Sequence, residues 1–255
     1  MNTDIPPIYL STVLLEKNRW RSRVPSFRVS AWSKHIAEAG FDGIELWENH
    51  LLLADAIERH AVRAGPAPIQ ILNTYCGFDD GSADARAASA ELAQFLNVSA
   101  VKFNFGNDRS QAKKYIENLR AWREKLPEGC RLLCECHPYT ILEEVDDAAK
   151  ILEPLQGEIE IIVHAFGNSD ETELRRWFDA FGTAVTHVHA VLKDKTHAAE
   201  RLELLQQYGF NGTYSIEFCE GVAEPPEDMA ELLANAAADL QFLRKEIGKK
   251  ISKSE

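Results

Sequence analysis

The chain has 255 residues, 45% of them hydrophobic, and a formal net charge of -12. That length and apolar content suffice for one large core, and the acidic balance argues against a non-specific nucleic-acid binder, whose phosphate contacts need clustered Lys and Arg. Five cysteines without a Cys-x-x-Cys pair indicate neither a disulfide framework nor a zinc ribbon, and the N-terminus MNTDIPPIYL lacks the basic-then-apolar pattern of an export signal, so the expectation is a single domain over 1–255, cytoplasmic and without a membrane span.

Short apolar runs alternate with longer segments of helical spacing along the whole chain. PIYLST is followed by SAWSKHIAEAG, DGIELW by LLLADAIERHAVRAG, IQILNTY by ADARAASAELAQFLN, and AVKFNF by SQAKKYIENLRAWREKL. The second half repeats the pattern: RLLCECH before LEEVDDAAKILEPL, IEIIVHA before DETELRRWFDAFG, VTHVHAV before AAERLELLQQYG, and TYSIEF before a last helix near 226–246. Gly40, Gly182 and Gly209 supply helix stops. Strand and helix alternating eight times predict a parallel sheet, and eight such units close a (β/α)8 TIM barrel, with a doubly wound open sheet as the alternative. No repeat, low-complexity tract or linker divides the chain, and the basic end KEIGKKISKSE reads as a fraying helix terminus.

In such a barrel alternate strand residues point inward, and catalytic groups lie at the C-terminal strand ends. In RLLCECH, Leu133, Glu135 and His137 share one face, and Cys134 and Cys136 share the other, toward the helices. The same parity pairs Glu45 with Trp47, Lys102 with Asn104, His187 with His189, Ser215 with Glu217 and Ile162 with His164, with Asn73 a weaker member of the set. Glu and His from separate strands converging on one opening suit a borderline divalent cation such as Mn, Co or Zn, with Mg and an all-oxygen Ca cage less suited. The expected ligands are Glu135, His164, His189 and Glu217, with His187 competing for the place of His189. Hydrogen-bonded core histidines, or structural ion pairs of the glutamates with Lys102 or Lys193, are the plainer alternatives.

The segments FDGIELWENHL, LLCECHPYT, THVHAVLKDK and YSIEFCEG resemble the strand-end motifs of the xylose isomerase-like TIM barrel superfamily, the sugar phosphate isomerase/epimerase group. The resemblance runs from strand 2 to strand 8. It implies one divalent metal on Glu135, His164, His189 and Glu217, although relatives usually carry Asp where this chain has His164. It also implies that Glu135 and Glu217 act as acid and base on an enediolate, and that His50 and His137 lie near the substrate. Glu45, Trp47, His187 and Lys193 complete the expected substrate surroundings. The implied activity is that of a metal-dependent isomerase or epimerase of a sugar, ketose or cyclitol-like polyol, a manganese-type enzyme of carbohydrate metabolism and a possible homo-oligomer.

Alternatives within the resemblance are a lyase that dehydrates a keto-polyol and a non-catalytic barrel subunit. A phosphodiesterase like endonuclease IV would need more metal ligands and a basic groove. The loop EKNRWRSRVPS carries Arg19, Arg21 and Arg23 around Trp20 and reads either as a lid for an anionic substrate or as a solvated loop. Trp47 and Phe105 read as an apolar wall or as barrel packing. Gly106 and Arg109 in FGNDRS give a weak phosphate signal.

Overall fold

The computed structural model describes residues 5–166, 170–192, 195–224 and 226–251. Eight strands, β1 (Ile8–Ser11), β2 (Ile44–Trp47), β3 (Ile69–Asn73), β4 (Ala100–Phe103), β5 (Arg131–Glu135), β6 (Glu160–Val163), β7 (Val185–Val191) and β8 (Thr213–Phe218), pair in chain order. The ring closes through parallel pairing of β8 with β1, which makes a closed (β/α)8 barrel rather than an open sheet. Each predicted strand coincides with an observed one. Helices α1 (Val29–Glu38), α2 (Asn49–Leu52), α3 (Ala56–Arg63), α4 (Ala83–Leu96), α5 (Ala112–Arg123), α6 (Val145–Leu152), α7 (Glu171–Phe181), α8 (Ala198–Gln207) and α9 (Met229–Ile251) surround it.

One predicted helix, over 51–65, is in fact two. Asp55 adopts an extended backbone, and its carboxylate accepts the Glu58 amide at 2.7 Å, so it caps a new helix instead of continuing the old one. Arg59 closes the break from the other side, donating to the carbonyls of Leu51 at 2.8 Å and Leu52 at 3.1 Å.

The strands bury both faces, as parallel strands under a helical layer must. Outward residues such as Leu46, Val101, Phe103, Leu132, Cys134 and Val188 join the large core between sheet and helices. Inward, Tyr9, Ile71, Ala100, Leu133 and Ile162 form a separate small apolar layer that fills the barrel. Below it the Arg131 guanidinium binds Glu160 at 2.9 Å and 2.5 Å and reaches Thr186, whose hydroxyl also donates to Glu160. Burial raises the carboxyl pKa of Glu160, but the hydrogen bonds from Arg131 and Thr186 outweigh it and hold Glu160 ionised. The N-terminal end is thus closed by its own charges. No helix among the described residues is long and apolar enough to cross a membrane.

Closure brings β7 and β8 close at Gly212, where a β-carbon would lie 1.9 Å from the Thr186 carbonyl oxygen. That neighbour is backbone and cannot swing away. Gly212→Ala is therefore expected to destabilise the fold by about 1–3 kcal/mol, read as a lower midpoint in chemical denaturation, and wild-type stability would contradict this closure.

Candidate metal centre and active site

Above the apolar layer the inward residues turn polar. Glu135 ends β5, His164 follows β6, and His189 and Glu217 lie near the ends of β7 and β8. Their side chains meet. His164 Nε2 lies 3.3 Å from Glu135 Oε1 and 3.6 Å from Glu217 Oε2. His189 Nδ1 lies 3.2 Å and 3.6 Å from the same two oxygens. All four ligand atoms fall within 4.8 Å of one another. Glu135 and His189 are buried, whereas the His164 side chain is 29% exposed and opens onto solvent.

Each group is held by a second partner. Lys102, fully buried on β4, places Nζ 2.5 Å from Glu135 Oε2 and 4.2 Å from the centre of the Tyr75 ring. Burial alone would raise the Glu135 pKa, but the Lys102 charge and the two imidazoles hold it well below the usual carboxylate range. Glu135 thus combines the two readings left open by sequence: one oxygen pairs with lysine and the other faces the imidazoles. On the far side of His189, Nε2 lies 3.2 Å from Glu45 Oε2, and Asn73 Nδ2 donates to Glu45 Oε1 at 2.7 Å. Burial disfavours ionisation of Glu45, but the His189 charge and the two histidine hydrogen bonds keep it ionised.

This donor set fits a divalent cation. Burial lowers the His189 pKa, but Glu45, Glu217 and Glu135 outweigh it and raise the pKa well above the usual imidazole value. A cation would take the place of the Nδ1 proton while Glu45 keeps the one at Nε2, which leaves Nδ1 as a lone-pair donor. That buried Nδ1 has no hydrogen-bond partner. With the imidazoles neutral, three carboxylates face one lysine, an excess of two negative charges. Two imidazoles and two carboxylates match Mn, Co or Zn better than an oxygen-only site would. A second cluster, Glu45 with His187 and His189, is wholly buried. There His187 is already engaged, with Nδ1 at 2.8 Å from Thr213 Oγ1 and Nε2 at 3.1 Å from Ser215 Oγ, and burial lowers its pKa.

A cavity of about 730 Å³ opens over the centre, walled by Glu135, His137, His164, Glu217, Trp20 and Phe218 among others. Glu45, Trp47, His50 and His187, expected around the substrate, do not line it. Glu45 and His187 lie beneath His189, while His50 packs 4.6 Å from the Phe27 ring and edge-on to Trp47 at 5.5 Å, where burial pushes its pKa down to about 3. Lys193 lies outside the described residues. Phe105 packs with Phe78, Phe103 and Tyr115 in the outer core, away from any substrate wall. In the loop after β1, Arg19 is buried and bound to Glu227 at 2.8 Å and to the Val13 carbonyl at 2.7 Å. Arg109 pairs with Asp147. Sequence reading missed the cavity residues Glu143, Glu144, Glu173 and Trp177, which sit on α7 and in the segment before α6, where no strand parity marks them.

Solved structures share this fold. The 3-keto-D-glucoside 4-epimerase of E. coli, in its apo form, superposes with a TM-score of 0.66 at 16% identity, over 94% of this chain and 100% of that one. A xylose isomerase domain protein from Planctomyces limnophilus gives 0.61 at 13% identity, over 97% and 99%. Endonuclease IV from Thermus thermophilus gives 0.58 at 15%, over 93% and 100%. No protein-family model and no curated protein matches the sequence. At these identities the likeness shows the fold, a (β/α)8 barrel.

Two expectations follow from the geometry. Protein purified without added metal should carry about one divalent ion per chain by elemental analysis, and His164→Ala should weaken binding more than the roughly tenfold of an outer-sphere change, while His164→Asp still binds. Unaltered affinity in His164→Ala would remove His164 from the ligand set. Lys102→Met leaves Glu135 buried without its cation and should cost about 3–5 kcal/mol in chemical denaturation, a loss that the added change Glu135→Gln reduces.

Proposed function

We propose that the protein is a divalent-metal-dependent isomerase or epimerase of a sugar, ketose or related polyol, with Glu135 and Glu217 as its acid and base. The observation that carries this reading is the convergence of Glu135, His164, His189 and Glu217 within 4.8 Å at the floor of an open cavity. The sugar epimerase among the structures of this fold supports the substrate class. Mn, Co or Zn is the metal such a donor set favours.

When bound there, a divalent ion would act as a Lewis acid toward a substrate carbonyl and its neighbouring hydroxyl, and so acidify the adjacent C–H. The side chains do the rest. Glu135 and Glu217 rise from strands separated by β6 and β7, so they flank whatever rests over His164 and His189. One carboxylate removes the proton to give the enediolate, and the other returns a proton to the opposite face of the same carbon. Flanking bases therefore favour epimerisation over isomerisation to the neighbouring carbon. Lys102 keeps Glu135 ionised and fixed, and Glu45, steadied by Asn73, sets the orientation of His189 from below. His137, on the cavity wall, is assigned to substrate hydroxyls.

Glu217→Gln is the cleaner variant, because Glu135 also holds Lys102. It should reduce turnover about 100-fold or more without loss of the folded state in circular dichroism. Turnover of a ketose in D2O should wash deuterium into the carbon next to the carbonyl. Product free of deuterium there would overturn the two-base scheme, and loss of water from the substrate would reassign the enzyme as a dehydratase.

A further inference from the structure

The helices of this barrel begin at the same end as the cavity, and their N-terminal amides are the ordinary resting place of a substrate phosphate in TIM barrels, above all after strands 7 and 8. Here acidic side chains of the chain itself occupy the three that follow β4, β6 and β8, while α6 and α8 start without a capping side chain. After β8, Asp228 Oδ1 accepts the amides of Ala230 at 2.9 Å and Glu231 at 3.0 Å at the start of α9. Asp170 accepts the Glu173 amide at 2.7 Å at the start of α7, and Asp108 accepts the Ser110 amide at 3.0 Å ahead of α5. An anion would have to displace a carboxylate at each.

The cavity wall points the same way. Glu143, Glu144 and Glu173 line it and are exposed. Among the described residues, the one Lys or Arg that lines it is Arg176, and that guanidinium pairs with Asp146 at 3.2 Å. None of the arginines of the loop after β1 lines the cavity: Arg19 binds Glu227, the exposed Arg21 lies near the same carboxylate, and Arg23 lies 4.6 Å over the ring of Tyr75, a wall residue. What the cavity offers instead is aromatic surface. Trp20, 65% exposed, lies 5.5 Å from the Phe218 ring, and both line the cavity together with Trp177. Such rings suit the C–H faces of an uncharged sugar.

We infer that the substrate is an uncharged keto-sugar or polyol, free of phosphate and carboxylate, whose end remote from Glu135 and Glu217 lies against Trp20 and Phe218. This rests on the isomerase or epimerase reading above. The acidic rim repels an anionic substrate, and because Glu143, Glu144 and Glu173 are exposed the repulsion is modest and screened by salt.

The test is solvent deuterium exchange by the metal-loaded protein on pairs of ketoses, each compared with its terminal phosphate ester, beginning with fructose and tagatose. The uncharged member should exchange with a kcat/KM at least about tenfold higher, mainly through KM, and the ratio should shrink as salt is raised. The triple variant Glu143→Gln, Glu144→Gln, Glu173→Gln should narrow the ratio without added salt. A phosphate ester preferred by the wild type would overturn the inference and leave the proton-transfer reading standing. A ratio indifferent to both salt and the triple variant would remove the rim as its cause and overturn the electrostatic argument. No exchange with any member of either set would overturn the proton-transfer reading and this inference with it.

Discussion

Three carboxylates lie buried close together inside the barrel, Glu45 a level below the other two. Glu45, Glu135 and Glu217 arrive from β2, β5 and β8, and an ionised carboxylate without a partner is among the costliest groups to bury. The residues around them are arranged to meet that demand. Lys102 satisfies one oxygen of Glu135, Asn73 one oxygen of Glu45, and His189 stands between all three acids, with one ring nitrogen toward Glu45 and the other toward Glu135 and Glu217. His187 cannot help as a cation, because burial keeps it neutral and Thr213 and Ser215 take its nitrogens. His164, its pKa raised against desolvation to about 9 by Glu135 and Glu217, stands on the open side, and it is there that a cation would take over from protons in balancing the acids.

The two ends of the barrel treat the same problem differently. At the N-terminal end, Arg131, Glu160 and Thr186 satisfy one another and close the floor. At the C-terminal end the polar groups are left incomplete: His189 Nδ1 below the cavity, and Ser11 Oγ and Asn73 Oδ1 deeper in, have no hydrogen-bond partner. The apolar layer of Tyr9, Ile71, Ala100, Leu133 and Ile162 separates the two charge systems and excludes water between them. A structural network and a functional one can thus be built from similar residues, and they differ in whether every lone pair already has a partner.

The barrel was legible because strand parity and the strand-helix rhythm repeat eight times, and the four converging residues were legible because each ends an inward register. Parity reports a face, however, and not a height along the barrel axis. Glu45 and Glu217 have equal claims in sequence, yet Glu45 lies a level lower, where the register pairs it with Ser11 and Ile71. Trp47 shares the parity of Glu45 but is sealed by His50, so it does not reach the cavity. The break between α2 and α3 turned on one Asp choosing to cap, which helical periodicity does not register. The acidic rim stands where no period applies, and the spatial neighbours ahead of α6 and on α7 could be joined only by the closed ring.

The indole of Trp20 has an optical consequence. Of the five tryptophans, Trp47, Trp122 and Trp177 are buried and Trp32 is half-buried on α1, away from the cavity, whereas Trp20 is the most exposed large apolar side chain on the cavity wall, against the ring that directly follows Glu217 in sequence. Its emission depends on how much water surrounds it, while Trp32, Trp47 and Trp122, away from the cavity, contribute a constant background and Trp177, already buried in the wall, has little water to lose. Anything that settles into the cavity withdraws water from that one fluorophore. The protein therefore carries an intrinsic reporter at the entrance to its site, and occupancy can be followed without a label and without waiting for a product to form.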